Sequence, residues 1–180
     1  MIFRETRVQG VWVIEPERYE DERGFFARTW DTAEFAVHGL NGRLVQCSIS
    51  YNGRRGTLRG MHYQATPHEE AKLVRCTSGS IFDVAVDLRT GSATFRRWVG
   101  TELSAENRLA MYVPEGCAHG FLTLTEESEV AYQISEFHAP DAARGVRWND
   151  PAFGIDWPED VLVVNERDRS YPDFTAETAS

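Results

Sequence analysis

Short runs in which apolar and polar residues alternate recur along most of the chain. The clearest spans 80–88, where Phe82, Val84, Val86 and Leu88 fall on one side and Asp83 and Asp87 on the other, the period of a strand. In a barrel such a run points one set of side chains at the core and the other at a lumen or solvent. Comparable runs occupy 8–15, 24–30, 43–51, 57–64, 71–77, 94–101, 109–113, 120–125 and 128–137, separated by Gly, Pro, Asn or acidic turns. Asn52-Gly53 ends the 43–51 run with a strong hairpin signal. Asp31-Thr32-Ala33-Glu34 has capping-box character and predicts a short helix over 33–37, closed near Gly39. Regular short strands with this punctuation predict an all-β sandwich or barrel with one or two short helices, not a parallel α/β sheet. From about residue 138 the texture becomes loop-like and poor in apolar residues. We read the chain as one domain, 1–180, with a C-terminal appendage lying over the barrel and fraying from about Thr175.

Composition narrows the function classes. At 180 residues, 42% of them hydrophobic, the chain can bury one real core. A net charge of −9 lacks the basic footprint that nucleic acid or an anionic membrane requires, so neither is expected as a partner. It leaves room for a local cluster of Arg and Lys that takes a diphosphate. Three cysteines, odd in number and without metal or redox spacing, point to a reducing, cytoplasmic setting. We find no signal peptide and no apolar run of membrane-spanning length.

The candidate chemistry centres on Arg59-Gly60-Met61-His62-Tyr63-Gln64, with Lys72 ten residues after the histidine. Alternation places Leu58, Gly60, His62 and Gln64 on one face of this strand. An imidazole, a guanidinium and an ammonium on adjacent strands suit proton abstraction from an anionic substrate: His as base, Arg for phosphate, Lys for a developing oxyanion. A surface strand with a solvated His and Arg would carry the same letters. Pro114-Glu115-Gly116-Cys117-Ala118-His119-Gly120-Phe121 sets a rigid turn before a second histidine. Its spacing resembles the second motif of cupins, the double-stranded β-helix barrels. Metal cupins carry two histidines one residue apart in their first motif; His62-Tyr63-Gln64 offers one, so no metal is expected. Tyr132 in a strand and Asp168 in the tail are unremarkable alone.

Six segments together resemble the dTDP-4-dehydrorhamnose 3,5-epimerase family. They are Asp21-Glu22-Arg23-Gly24-Phe25-Phe26, Leu58 to Gln64, Lys72-Leu73-Val74, Phe82 to Arg89, Pro114-Glu115-Gly116 with Ala118-His119-Gly120-Phe121, and Trp148-Asn149-Asp150-Pro151. They run in family order over nearly the whole chain. The resemblance implies a cupin-type jelly roll, a homodimer with strand exchange at the N terminus, and neither metal nor cofactor. It implies that His62 is the base with Asp168 as its orienting carboxylate, Tyr132 the acid on the opposite face, and Lys72 the stabiliser of an enolate. Arg59 and His119 would bind the sugar–diphosphate region, with Arg167 a basic substrate contact, and Arg23 and Phe26 would serve the nucleotide side. The resemblance implies a nucleotide-diphospho-4-keto-6-deoxyhexose as substrate class, by default that of rhamnose synthesis.

The departures from the family pattern cluster on the nucleotide side. Arg28 stands where the family has Glu, Gln46-Cys47-Ser48 where it has Gln-x-Asn, and His138 where it has a thymine-stacking Tyr; near Ala143 an acidic residue is common. CDP, UDP or GDP in place of dTDP therefore stay open, as does inversion at one carbon only. A non-catalytic sugar-nucleotide-binding cupin is the reading from a different class; the joint presence of His62, Tyr132, Lys72 and Asp168 argues against it.

Overall fold

Most of the alternating runs become strands in the computed structural model, which describes residues 1–175; the expected fraying concerns positions 176–180, outside the described residues. One sheet has six antiparallel strands in the order β1 (Ile2–Glu5), β2 (Trp12–Glu15), β10 (Ala110–Val113), β7 (Lys72–Ser78), β12 (Ser128–Ile134), β5 (Gln46–Asn52). The other has five: β13 (Ala143–Gly145), β6 (Leu58–Gln64), β11 (Cys117–Thr123), β8 (Ser80–Asp87), β9 (Trp98–Ser104). The two face each other as a jelly-roll barrel. β3 (Arg18–Asp21) and β4 (Gly24–Ala27) form a separate hairpin. Helix α1 (Thr32–Val37) starts where its sequence predicts: the Asp31 side chain accepts from the backbone N–H groups of Ala33 and Glu34.

Three apolar clusters hold this together. Between the sheets lie Val74, Ile81, Ala85, Met111, Phe121 and Val130. Under α1, Phe35 packs on Ile14, Leu73 and Tyr112. The third lies outside the five-stranded sheet, where Met61, Val84 and Val86 meet Val146, Phe153 and Trp157 of the C-terminal segment. That third cluster decides which side of β8 faces which way. Its Phe82–Val84–Val86 face packs outward beneath the C-terminal segment, while Asp83 and Asp87 point inward and are fully buried. Asp87 is kept there by Arg89, Ser92 and Thr94.

Other expectations also shift. Asn52-Gly53 closes no hairpin: β5 pairs with β12, and the chain crosses to the other sheet before β6 begins. Asn52 is buried there and donates to the carbonyls of Ser50 and Ser128. The 8–15 run is strand only from Trp12, because 6–11 turns to bury Val8 and Val11. A second short helix, α2 (Glu166–Arg169), lies in the tail.

The deviation with most effect on function is in β6. Its pairing with β11 matches His62 to His119 and Arg59 to Phe121, so three steps on β6 oppose two on β11. The extra residue is a β-bulge at Gly60–Met61. A Cβ on Gly60 would stand 2.5 Å from the Gly120 Cα, and Gly60 has φ of +141°. Only glycine allows this approach.

Candidate active site

The bulge rephases the strand. Arg59 and His62, three apart, would face opposite ways on a regular strand; here both line one cavity of about 410 Å³ inside the barrel mouth. The expectation that Leu58 and His62 share a face fails for this reason: Leu58 is buried in the core and Arg59 takes its place beside the histidine. The cavity brings together Gln46 and Ser48 of β5, Lys72 of β7, His119 of β11 and Tyr132 of β12. His138, Arg167 and Asp168 close it from the C-terminal side. Arg23, Phe26 and Arg28 are not brought in. They lie on and just after the β3–β4 hairpin, with Arg23 on Asp21, Arg28 on Asp31 and Phe26 69% exposed.

His62 Nε2 lies 2.7 Å from Asp168 Oδ1, and the other carboxylate oxygen accepts the Gly60 N–H at 3.0 Å. Asp168 is fully buried. Burial alone would raise its pKa, but the hydrogen bond and charge of His62 and the Gly60 N–H outweigh that and hold it below the ordinary carboxylate range. An ionised carboxylate only accepts, so Nε2 carries the proton and Nδ1 is the ring nitrogen free to take another. Asp168 is presented by α2, whose N-cap Asn165 accepts from the Asp168 backbone N–H at 2.7 Å. Asn165 was missed in the sequence, although Asn165-Glu166-Arg167-Asp168 is a legible N-cap pattern.

A second histidine–carboxylate pair lies across the cavity: His119 Nε2 is 2.7 Å from the buried Asp83 Oδ1. The Tyr132 ring stands edge-on to His119, centroids 6.0 Å apart. Burial raises the Tyr132 phenol far above its ordinary value, Asp83 adding to the effect and Arg59 opposing it. It is a protonated donor at any working pH. The Lys72 ammonium is 2.9 Å from Glu70 Oε1 and 3.3 Å from the His62 carbonyl oxygen. Arg59 is aimed by its Nε–H bond to Asn52 Oδ1 at 2.7 Å. His138 is tied through its backbone N–H to Gln46 Oε1 at 2.7 Å, and Gln64 clamps the neighbouring Phe137 and Ala139. Each histidine of the pair is thus bound to its own carboxylate, and among the described residues no three His, Cys, Asp or Glu side chains converge as metal ligands. Nor, among them, is any helix long and apolar enough to cross a membrane. A base with a fixed tautomer, a neutral acid and a cation lining one cavity can remove a proton next to a carbonyl and return one elsewhere.

A model of the dTDP-4-dehydrorhamnose 3,5-epimerase family matches residues 5–176. A protein of that name from Methanothermobacter thermautotrophicus is 46% identical over 172 residues, covering 94% of this chain and 92% of the relative. The crystal structure of the Elizabethkingia anophelis dTDP-4-dehydrorhamnose 3,5-epimerase superposes with a TM-score of 0.94 at 41% identity, over 97% of this chain and 96% of that one. A 3'-monoepimerase from Streptomyces bikiniensis, solved in complex with dTDP-quinovose, gives 0.86 at 34% identity, over 97% and 87%.

Proposed function

Because the chain belongs to the dTDP-4-dehydrorhamnose 3,5-epimerase family, we propose that it is a carbohydrate epimerase whose cavity takes dTDP-4-dehydro-6-deoxy-D-glucose and inverts C3 and C5. Both carbons flank the C4 ketone, so their protons are acidified by enolate resonance. His62 Nδ1 removes the proton, and the hydrogen bond to Asp168 stabilises the imidazolium that forms. Charge that moves onto O4 meets the Lys72 ammonium. Tyr132 delivers its phenolic proton to the opposite face, and the carbon is inverted. Arg59, His119 and Arg167 hold the sugar and diphosphate, while Gln46, Ser48 and His138 line the nucleotide end. The route needs no cofactor.

The three residues outside the cavity support a homodimer. Tyr19 and Phe26 are more than half exposed on a hairpin that belongs to neither sheet. We assign Arg23, Phe26 and Arg28 to the cavity of a second copy, onto which that hairpin folds. Three free thiols favour a reducing, cytoplasmic setting.

The observation that carries the reading is the His62–Asp168 bond in the cavity that also holds Tyr132 and Lys72. Its test is incubation with dTDP-4-keto-6-deoxyglucose in D2O, followed by mass spectrometry and NMR. Deuterium at C3 and C5 with inverted product is expected. The likeness to a 3'-monoepimerase supports a second reading, which label and inversion at C3 alone would select. No label with the dTDP, CDP, UDP or GDP sugar overturns both.

A further inference from the structure

Lys72 is the only lysine in the chain; the other 18 cationic residues among the 19 Lys and Arg are arginines. A guanidinium stays charged in any surroundings, whereas an ammonium removed from water sheds its proton unless a counter-charge holds it. The single position that keeps a lysine is also nearly dry, with 9% of the Lys72 side chain exposed. Its neighbours add to the difficulty. From β6, β13 and the tail, Arg59, Arg144 and Arg167 face the same cavity, with the imidazoles of His62, His119 and His138 and the phenols of Tyr63 and Tyr132 completing the titratable wall. Only two carboxylates line it. Asp168 is committed to His62 and Gly60, and Asp83 lies behind His119. That leaves Glu70, 2.9 Å from the Lys72 Nζ and itself only 12% exposed.

We infer that Glu70 is the positioning residue of this site: it holds the charge of the chain's one lysine and aims that ammonium at the forming oxyanion. An ammonium has three N–H donors. Glu70 takes one and the His62 carbonyl a second, at 3.3 Å, leaving the third for a ligand oxygen. The contact with the His62 carbonyl also ties the cation to the backbone of the proposed base. The assignment deepens the proposed function by adding a residue that touches no substrate, and it rests on that reading only for what the third donor meets.

The lone lysine makes a direct test possible. Protein grown with ε-13C-lysine carries one labelled side chain, so a single NMR signal reports the protonation of Lys72 as pH rises. Glu70→Gln is close to isosteric, and its folding is checked by Tm. The midpoint of the signal is expected to fall by about one pH unit or more in the variant, since the counter-charge is gone while the three arginines stay. In the deuterium-exchange assay the alkaline limb of kcat/KM should move down with it, and KM should change less than kcat. Coincident midpoints in wild type and variant overturn the inference even if both proteins are active. A shifted midpoint in proteins that exchange no deuterium upholds the ion pair and rejects the epimerase reading instead.

Discussion

Replacing Asp168 by Asn tests the site at its most constrained atom. The two carboxylate oxygens have different donors, His62 Nε2–H at 2.7 Å and the Gly60 N–H at 3.0 Å. An amide can satisfy the buried Gly60 donor only by turning its oxygen that way, which points its NH2 at His62. Nε2 must then accept, so the proton moves to Nδ1 and the proposed base is lost. Turning the amide over restores the tautomer but leaves the Gly60 N–H against an NH2 group, at a cost of about 1–3 kcal/mol for an unmet buried donor, roughly a 5- to 150-fold depletion of the competent form. That form also lacks the carboxylate that stabilised the imidazolium, and exchanging a charge-assisted bond for a neutral one removes about another tenfold. The product is a loss of about 10² to 10³ in the rate of deuterium wash-in. The assay is the D2O incubation, with Tm measured alongside to confirm folding. A folded D168N protein within tenfold of wild type would refute the reasoning.

Tyr132→Phe should lower the rate of epimerised product by about 10²-fold or more while changing Tm little, because it removes one phenolic oxygen and keeps the ring against His119; product NMR and a thermal melt decide it. Gly60→Ala should cost about 3 kcal/mol or more in urea unfolding, from a Cβ pressed on Gly120 at a φ of +141°; an unchanged midpoint would mean that the bulge can relax. Burial raises the pKa of Asp87, but its bonds from Arg89, Ser92 and Thr94 prevail and hold it below the ordinary value. Its contribution to stability is therefore complete above the unfolded carboxylate pKa near ~3.9 and disappears as pH falls through the lower folded value. Asp87→Asn should cost about 3 kcal/mol at neutral pH, and unfolding curves at successive pH values should show the gap closing only in acid.

The strands whose side chains must alternate were legible, β8 most plainly, because one of its faces is continuously apolar. β1 and β3 were not: each has four residues, and Arg18–Asp21 is wholly exposed, so nothing apolar marks its period. The helix cap at Asp31 could be read because its chemistry is local. Asn52-Gly53 misled because a turn signal describes the backbone at two residues and not the sheet the next strand enters. Arg59, His62 and Lys72 were visible as a group, yet their shared cavity depends on a bulge that alternation cannot announce. Asp168 emerged from the family resemblance alone, since a carboxylate in a polar tail carries no mark of burial. Glu70 went unnoticed in a loop although it stands two residues from the one lysine of the chain.

Asp168 follows its histidine by 106 residues, and the ribosome makes chains in one direction. Every strand of the barrel from β1 to β13 is synthesised before the carboxylate that holds the imidazole. A polypeptide stopped short of Asn165 would own the tyrosine and the lysine, yet its His62 would lack its carboxylate partner. On the proposed mechanism the carboxylate that orients the base is made late, with α2, so an unfinished copy is expected to exchange no deuterium.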